Sequence, residues 1–149
     1  MITETQQGTT TRPELFEMLD KISITTSRKD KIELVKIYSK YACFIDYIRC
    51  VFDARIVFAL PDGRPPFEPA AENAIPSSWH RQNKQLAYFV KGLKGDRLTG
   101  LKRESMFISL LESIHPADAE VIIAMVGKKS SAKGLTEKLV REALPNLLS

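Results

Sequence analysis

The residues best suited to chemistry lie in the stretch KKSSAKGLTEKLVR. Between Gly127 and Arg141 stand five basic residues, Lys128, Lys129, Lys133, Lys138 and Arg141, against one acid, Glu137. Ser130 and Ser131 fall in a turn, and Gly134 and Thr136 open the last helix. A helix N-terminus presents free N–H groups, and nearby lysines add charge, so this pattern fits phosphate binding. A second segment, KGLKGDRLTGLKRES, carries Lys91, Lys94, Arg97, Lys102 and Arg103, and it too is a turn feeding a helix. Two such turns in a helical domain could follow one strand of a duplex. The bland alternative is that both are solvated surface.

Other chemistries find little support. There are two histidines, His80 and His115, and two cysteines, Cys43 and Cys50. His115 precedes Pro116 and reads as a helix cap; His80 lies beside Trp79 on a helix surface. No CxxC or HxxH spacing suggests zinc. VKGLKGDR has neither the residue order of a phosphate-binding P-loop nor a preceding strand. No GxSxG elbow occurs, Ser105 and His115 make no triad, and the carboxylates are scattered. The chain therefore reads as non-enzymatic, with no catalytic residue, metal or cofactor.

A chain of 149 residues with 44% apolar and 27% charged residues suits one globular domain. The net charge of +4 and a pI near 9.1 permit a nucleic-acid partner. The polar opening MITETQQGTTTRPE predicts no signal peptide, and the lack of an eighteen-residue apolar run predicts no membrane span. Cys43 and Cys50, seven apart on one helical face, read as buried thiols of a reducing compartment.

These residues need a scaffold, and the periodicity predicts an all-α one: a single domain, 13–149, of about six helices, preceded by a flexible arm, 1–12. Pro13 opens a first helix with Leu15, Phe16 and Leu19 as its stripe. Ser27 caps the next, with Asp30 in a capping box. The run from Arg28 to Ala54 reads as one long helix, with Leu34, Tyr38, Tyr41, Ile45, Ile48 and Phe52 at spacings of three and four. A Pro-rich loop, 54–76, follows. It reads either as a partner-docking segment or, the favoured option, as a loop held over the helices by Phe58 and Phe67. RIVFAL within it suggests a short strand without a partner. Further helices start at Ser77 or Ser78, at Leu101, at Pro116 and near Gly134. Met106, Phe107, Leu110, Leu111 and Ile114 face inward, and Trp79 reads as a core or half-buried residue rather than a platform for stacking bases. Gly127 ends the fifth helix and Pro145 stops the last.

The stretch from Asp96 to Leu148 resembles the end of the N-terminal DNA-binding domain of phage ATP-dependent DNA ligases. The Leu98-Thr99-Gly100 turn, a helix, the acidic start DAEVI, and a turn and helix reaching Pro145–Leu148 carry the likeness. It implies a helical domain that grips duplex DNA by its backbone without base readout. The K-x-D-G adenylation motif is missing: Leu60 stands where the lysine of LPDG would be. The resemblance thus implies gripping without catalysis. ALPDGRPPFEP, LAYFVKG and KGLTEKLVREALPNLL also resemble a family of small proteins from T-even-type tailed phages. That likeness implies a viral source, with the host cytoplasm or the virion as location.

Together these readings predict a phage protein that binds duplex DNA backbone. Thr99, Lys102, Arg103, Lys128, Lys129, Ser130, Lys133, Thr136 and Lys138 would form the contact, as an accessory to phage DNA replication, repair or packaging. The alternative is a protein-interaction or structural component of the phage particle or replication machinery, docking through the Pro-rich loop. No membrane partner is expected.

Overall fold

Short polar residues just ahead of each apolar run set where the helices begin. The computed structural model describes residues 12–148. Seven α-helices follow in order: α1 Leu15–Ile24, α2 Arg28–Tyr38, α3 Ala42–Phe52, α4 Trp79–Gln82, α5 Gly100–Ser113, α6 Pro116–Val126 and α7 Glu137–Ala143. Two 3-10 turns, Asn83–Tyr88 and Lys94–Arg97, complete the set. Among the described residues there is no sheet, only the isolated bridges Phe58–Val90 and Ser77–Ile114. The all-α expectation holds. The arm expected over residues 1–12 lies, Arg12 apart, outside the described residues.

Ser27, Ser78, Thr99, His115 and Thr136 cap α2, α4, α5, α6 and α7 by accepting from backbone N–H groups one turn in. Pro116 occupies the first turn of α6. The first helix departs from expectation. Pro13, expected in its first turn, lies outside it; Glu14 is the cap, in a reciprocal box with Glu17 whose Oε1 accepts from the Glu14 N–H at 2.9 Å.

The long helix expected over 28–54 is two helices. Tyr41 leaves the helical region (φ −96°, ψ 125°), and the Ser39 hydroxyl donates to the Lys36 carbonyl at 2.6 Å, closing α2. No Gly or Pro marks the break. Its cause is packing: α2 buries Lys31 and Val35, whereas α3 buries Cys43, Phe44, Tyr47, Ile48, Cys50 and Val51. One straight helix could not present both sets to the core, and tertiary burial overrides local propensity. The helix expected after Ser78 is also shorter, giving way to 3-10 geometry at Asn83, whose Nδ2 donates to Asp46 Oδ2 at 2.7 Å.

One continuous core runs through all these helices, with Trp79, Tyr47, Phe44 and Phe89 its largest fully buried side chains. α6 packs on α1, α3 and α5, and α7 packs on α2. The Pro-rich loop lies against this core through Phe58, Leu60 and Phe67. Arg64 fastens it to α6, bidentate to Glu120 at 2.6 and 2.7 Å, and stacks 4.9 Å from the centre of Phe67. RIVFAL does find a partner: Ala59 N–H donates to the Phe89 carbonyl at 2.7 Å, and Lys91 N–H to that of Val57 at 2.8 Å. No helix among the described residues is long and apolar enough to cross a membrane.

Candidate nucleic-acid interface

α5 and α6 are joined by Ile114–His115 alone and pack together, so the start of α5 and the end of α6 share one end of the molecule. A cleft of about 180 Å³ at that end is lined by Glu104 and Phe107 from α5, Ile123 and Val126 from α6, and the turn Pro61–Arg64. One cation of each basic segment reaches the chain between Asp53 and Ala59. Arg103 donates to the Ala59 carbonyl at 3.4 Å, and Lys128 Nζ to the Asp53 carbonyl at 3.0 Å.

These two cations have further main-chain partners. Arg103 also donates to the carbonyls of Gly95 (2.9 Å) and Leu98 (3.1 Å), and its Nε is buried. Lys128 Nζ also donates to the Cys50 carbonyl at 2.6 Å, at the C-terminal end of α3, where a cation meets the negative end of the helix dipole. Partial burial pulls the Lys128 amine below its ordinary range. Both side chains thus tie separate segments together, and Lys128 stays exposed while doing so.

The turn after α6 is stitched down throughout. Gly127 is the C-cap, but the left-handed position falls one residue later, at Lys128 (φ 62°). Lys128 N–H bonds the Met125 carbonyl and Lys129 N–H that of Ala124, both at 2.9 Å, which is the Schellman pattern with lysine where glycine is usual. Ser130 Oγ accepts from Ala132 N–H at 3.2 Å. Tyr47 Oη accepts from Ser131 N–H at 2.8 Å, and Ser23 Oγ from Lys133 N–H at 2.9 Å. The buried Lys31 donates to the Lys133 carbonyl at 2.7 Å and the Ile22 carbonyl at 2.9 Å.

The remaining residues of the expected set divide by what their side chains do. Thr99 and Thr136 spend their oxygens on the caps, accepting from Lys102 N–H at 3.1 Å and Leu139 N–H at 3.2 Å. Each keeps a hydroxyl proton to donate. Lys102, Lys129, Lys133 and Lys138 are exposed. Among the described residues none of these four has a carboxylate within ion-pair distance, whereas Arg28, Lys36, Arg49, Arg55, Arg64 and Arg141 are each paired. Sequence reasoning missed Lys31 and the inward roles of Lys128 and Arg103, because a lysine that will reach a carbonyl has no signature distinguishing it from one that will face water.

The histidines and thiols sit elsewhere. His115 caps α6, as expected, with Nδ1 accepting from Ala117 N–H at 3.0 Å. His80 is not a plain surface residue: Nε2 lies 2.7 Å from the Pro13 carbonyl and Nδ1 3.5 Å from Cys43 Sγ. A carbonyl can only accept, so Nε2 carries the proton and the thiol donates to Nδ1. Both cysteines are buried and unbridged, and burial pushes both thiols up to about 12, so they are protonated at neutral pH. Among the described residues no group of three His, Cys, Asp or Glu side chains could hold a metal.

Fold and surface together define an all-helical protein with two lysine-bearing segments tied to its core. The chain belongs to a family of unknown function, DUF6433, whose model matches residues 18–132. That span takes in the whole segment 91–103 and Lys128 to Ser130, and ends before Lys133. No curated protein matches the chain.

Proposed function

We propose that this is a non-catalytic protein that binds the backbone of duplex DNA without strong sequence preference. Its setting would be phage DNA replication, repair or packaging in the host cytoplasm, an assignment supported by the sequence resemblances alone. The observation that carries the binding reading is the division of the cations. Lys102, Lys129, Lys133 and Lys138 are exposed without carboxylate partners among the described residues; Lys129 and Lys133 lie on the turn anchored to the core, and Lys102 and Lys138 in the first turns of α5 and α7. Anchored turns lose little freedom on contact, and unpaired lysines release counterions when they meet phosphates. Lys128 and Arg103 serve here as supports for those turns.

The test is a fluorescence-anisotropy titration with nicked and intact 30-base-pair duplexes at two salt concentrations. Micromolar binding is expected, with a log–log salt slope of at least about 3 to 4 in magnitude from these four lysines and steeper with every further phosphate contact. Reversing Lys129, Lys133 and Lys138 to Glu should flatten that slope. No binding at low salt would overturn the proposal. A second reading, docking on another phage protein, is favoured by Ile75, which is 98% exposed in the Pro-rich loop. Co-purification of a phage protein after nuclease treatment, lost in Ile75→Asp, would support it.

A further inference from the structure

The segment 91–103 is held rigidly from beneath and amphiphilic on its outside. Gly95 lies so close to the preceding turn that a Cβ would sit 1.8 Å from the Tyr88 carbonyl oxygen. Arg103 gathers the carbonyls of Ala59, Gly95 and Leu98. The Asp96 carboxylate accepts from Gly92 N–H at 2.9 and 3.0 Å. The polar groups that could have bound a ligand are thus used to shape the segment. Outside remain Leu93, 52% exposed, and Leu101, 80% exposed, among the exposed cations Lys91, Lys94, Arg97 and Lys102. Leu101 does nothing for the core, since α5 buries Phe107, Leu110 and Leu111.

Cations alone would suit a bare polyanion. Leucines among them call for an apolar layer lying just behind the anionic one. Stacked bases behind duplex phosphates provide that, and so do acyl chains behind lipid headgroups. Docking on a membrane surface uses an apolar stripe running along a helix, and the stripe of α5 is spent in the core. A base step accepts one or two apolar wedges. We propose that Leu101 enters a base step as a wedge while Lys91, Lys94, Arg97 and Lys102 hold the flanking phosphates. This rests on the duplex-binding reading and adds the mode of contact.

The experiment uses the full chain and a 30-base-pair duplex carrying 2-aminopurine, read by anisotropy and by base fluorescence. The wild type should raise the fluorescence as the base unstacks. Leu101→Ala should abolish that rise and weaken binding about tenfold with the salt slope unchanged. Lys102→Gln should lower the slope by about one and keep the rise. Because Leu101 is exposed, its variant should unfold at the wild-type midpoint, and Leu101→Met should retain the signal. Salt-sensitive binding with no fluorescence change, or a Leu93→Ala/Leu101→Ala protein that binds and unstacks as well as wild type, would overturn the wedge and leave duplex binding standing. Binding to phosphatidylserine vesicles with none to DNA would overturn both.

Discussion

Lys31 and Lys128 perform the same task on different helices: each carries its ammonium to the C-terminal carbonyls of a helix and ties that helix to the turn between α6 and α7. Lys31 Nζ bridges Ile22, near the end of α1, to Lys133 at 2.9 and 2.7 Å. Lys128, itself in the turn, reaches Cys50 and Asp53 at the end of α3, at 2.6 and 3.0 Å. Unpaired terminal carbonyls and a negative dipole end make such places favourable for a cation.

Lys128→Glu should therefore act on stability before it acts on any ligand. Losing two charge-assisted bonds and placing an anion at the end of α3 should cost about 2–3 kcal/mol, whereas Lys129→Glu should stay within about 0.5 kcal/mol. Urea midpoints of the two variants would separate them. Equal midpoints would show that Lys128 is not a support.

Gly134 stands against Lys31 from the other side. Its φ of +81° belongs to the left-handed region, and an added Cβ would come within 2.6 Å of Lys31 Nζ. Gly134→Ala should lower stability by about 1–2 kcal/mol from the backbone alone, and pairing it with Lys31→Met should be less than additive. A double-mutant cycle by chemical denaturation measures that coupling.

Asp118 gives a pH dependence of defined sign. It is 1% exposed, accepts from Phe16 N–H at 3.0 Å, and is raised from 3.8 to about 6, chiefly by burial and further by Glu14 and Glu17. The folded state therefore holds this proton more tightly than the unfolded state. The group weakens the fold as pH rises from 3.8 through about 6, and the full cost is present above that. Asp118→Asn can keep the Phe16 bond and should exceed wild type at pH 7.5 by up to about 3 kcal/mol, converging with it below pH 4. Thermal melts across that range provide the check; a constant difference would refute the assignment.

Cys43 and Cys50, 1% and 4% exposed with thiols pushed up to about 12, should resist labelling by an aromatic disulfide reagent in the native state. The labelling rate should climb with sub-denaturing urea as opening is promoted. Immediate labelling at neutral pH would contradict the packing of α3.

Gly95→Ala meets the Tyr88 main chain at 1.8 Å, an atom that cannot swing aside as a side chain can. A loss of about 3 kcal/mol or more is expected, together with local loss of amide protection over the segment 91–103. Exchange measurements would show whether the segment yields separately from the core.

Much of the scaffold was legible along the chain because its signals are local. Ser27, Ser78 and His115 cap where their types and positions suggest, Pro116 occupies a first turn, and α5 buries Phe107, Leu110 and Leu111 as its spacing requires, whereas the last helix, expected from Gly134, begins at Glu137 behind its cap Thr136. Phe58 and Phe67 hold the Pro-rich loop to the core. The break at Ser39–Tyr41 was not legible, since the three- and four-residue spacing runs through it undisturbed. Nor was the 3-10 stretch at Asn83, whose amide bonds Asp46, 37 residues earlier.

The surface divides the same way. By itself the sequence determined an all-helical chain with two basic turns, because helix periodicity, capping chemistry and charge are properties of neighbouring residues. Only the tertiary structure decided which cations take up main-chain carbonyls. Lys128, Arg103 and Lys31 bind main-chain carbonyls brought to them by other segments, while Lys102, Lys129, Lys133 and Lys138 stay exposed. A long flexible cation serves water or a carbonyl equally well, and which it meets depends on where the helix ends come together.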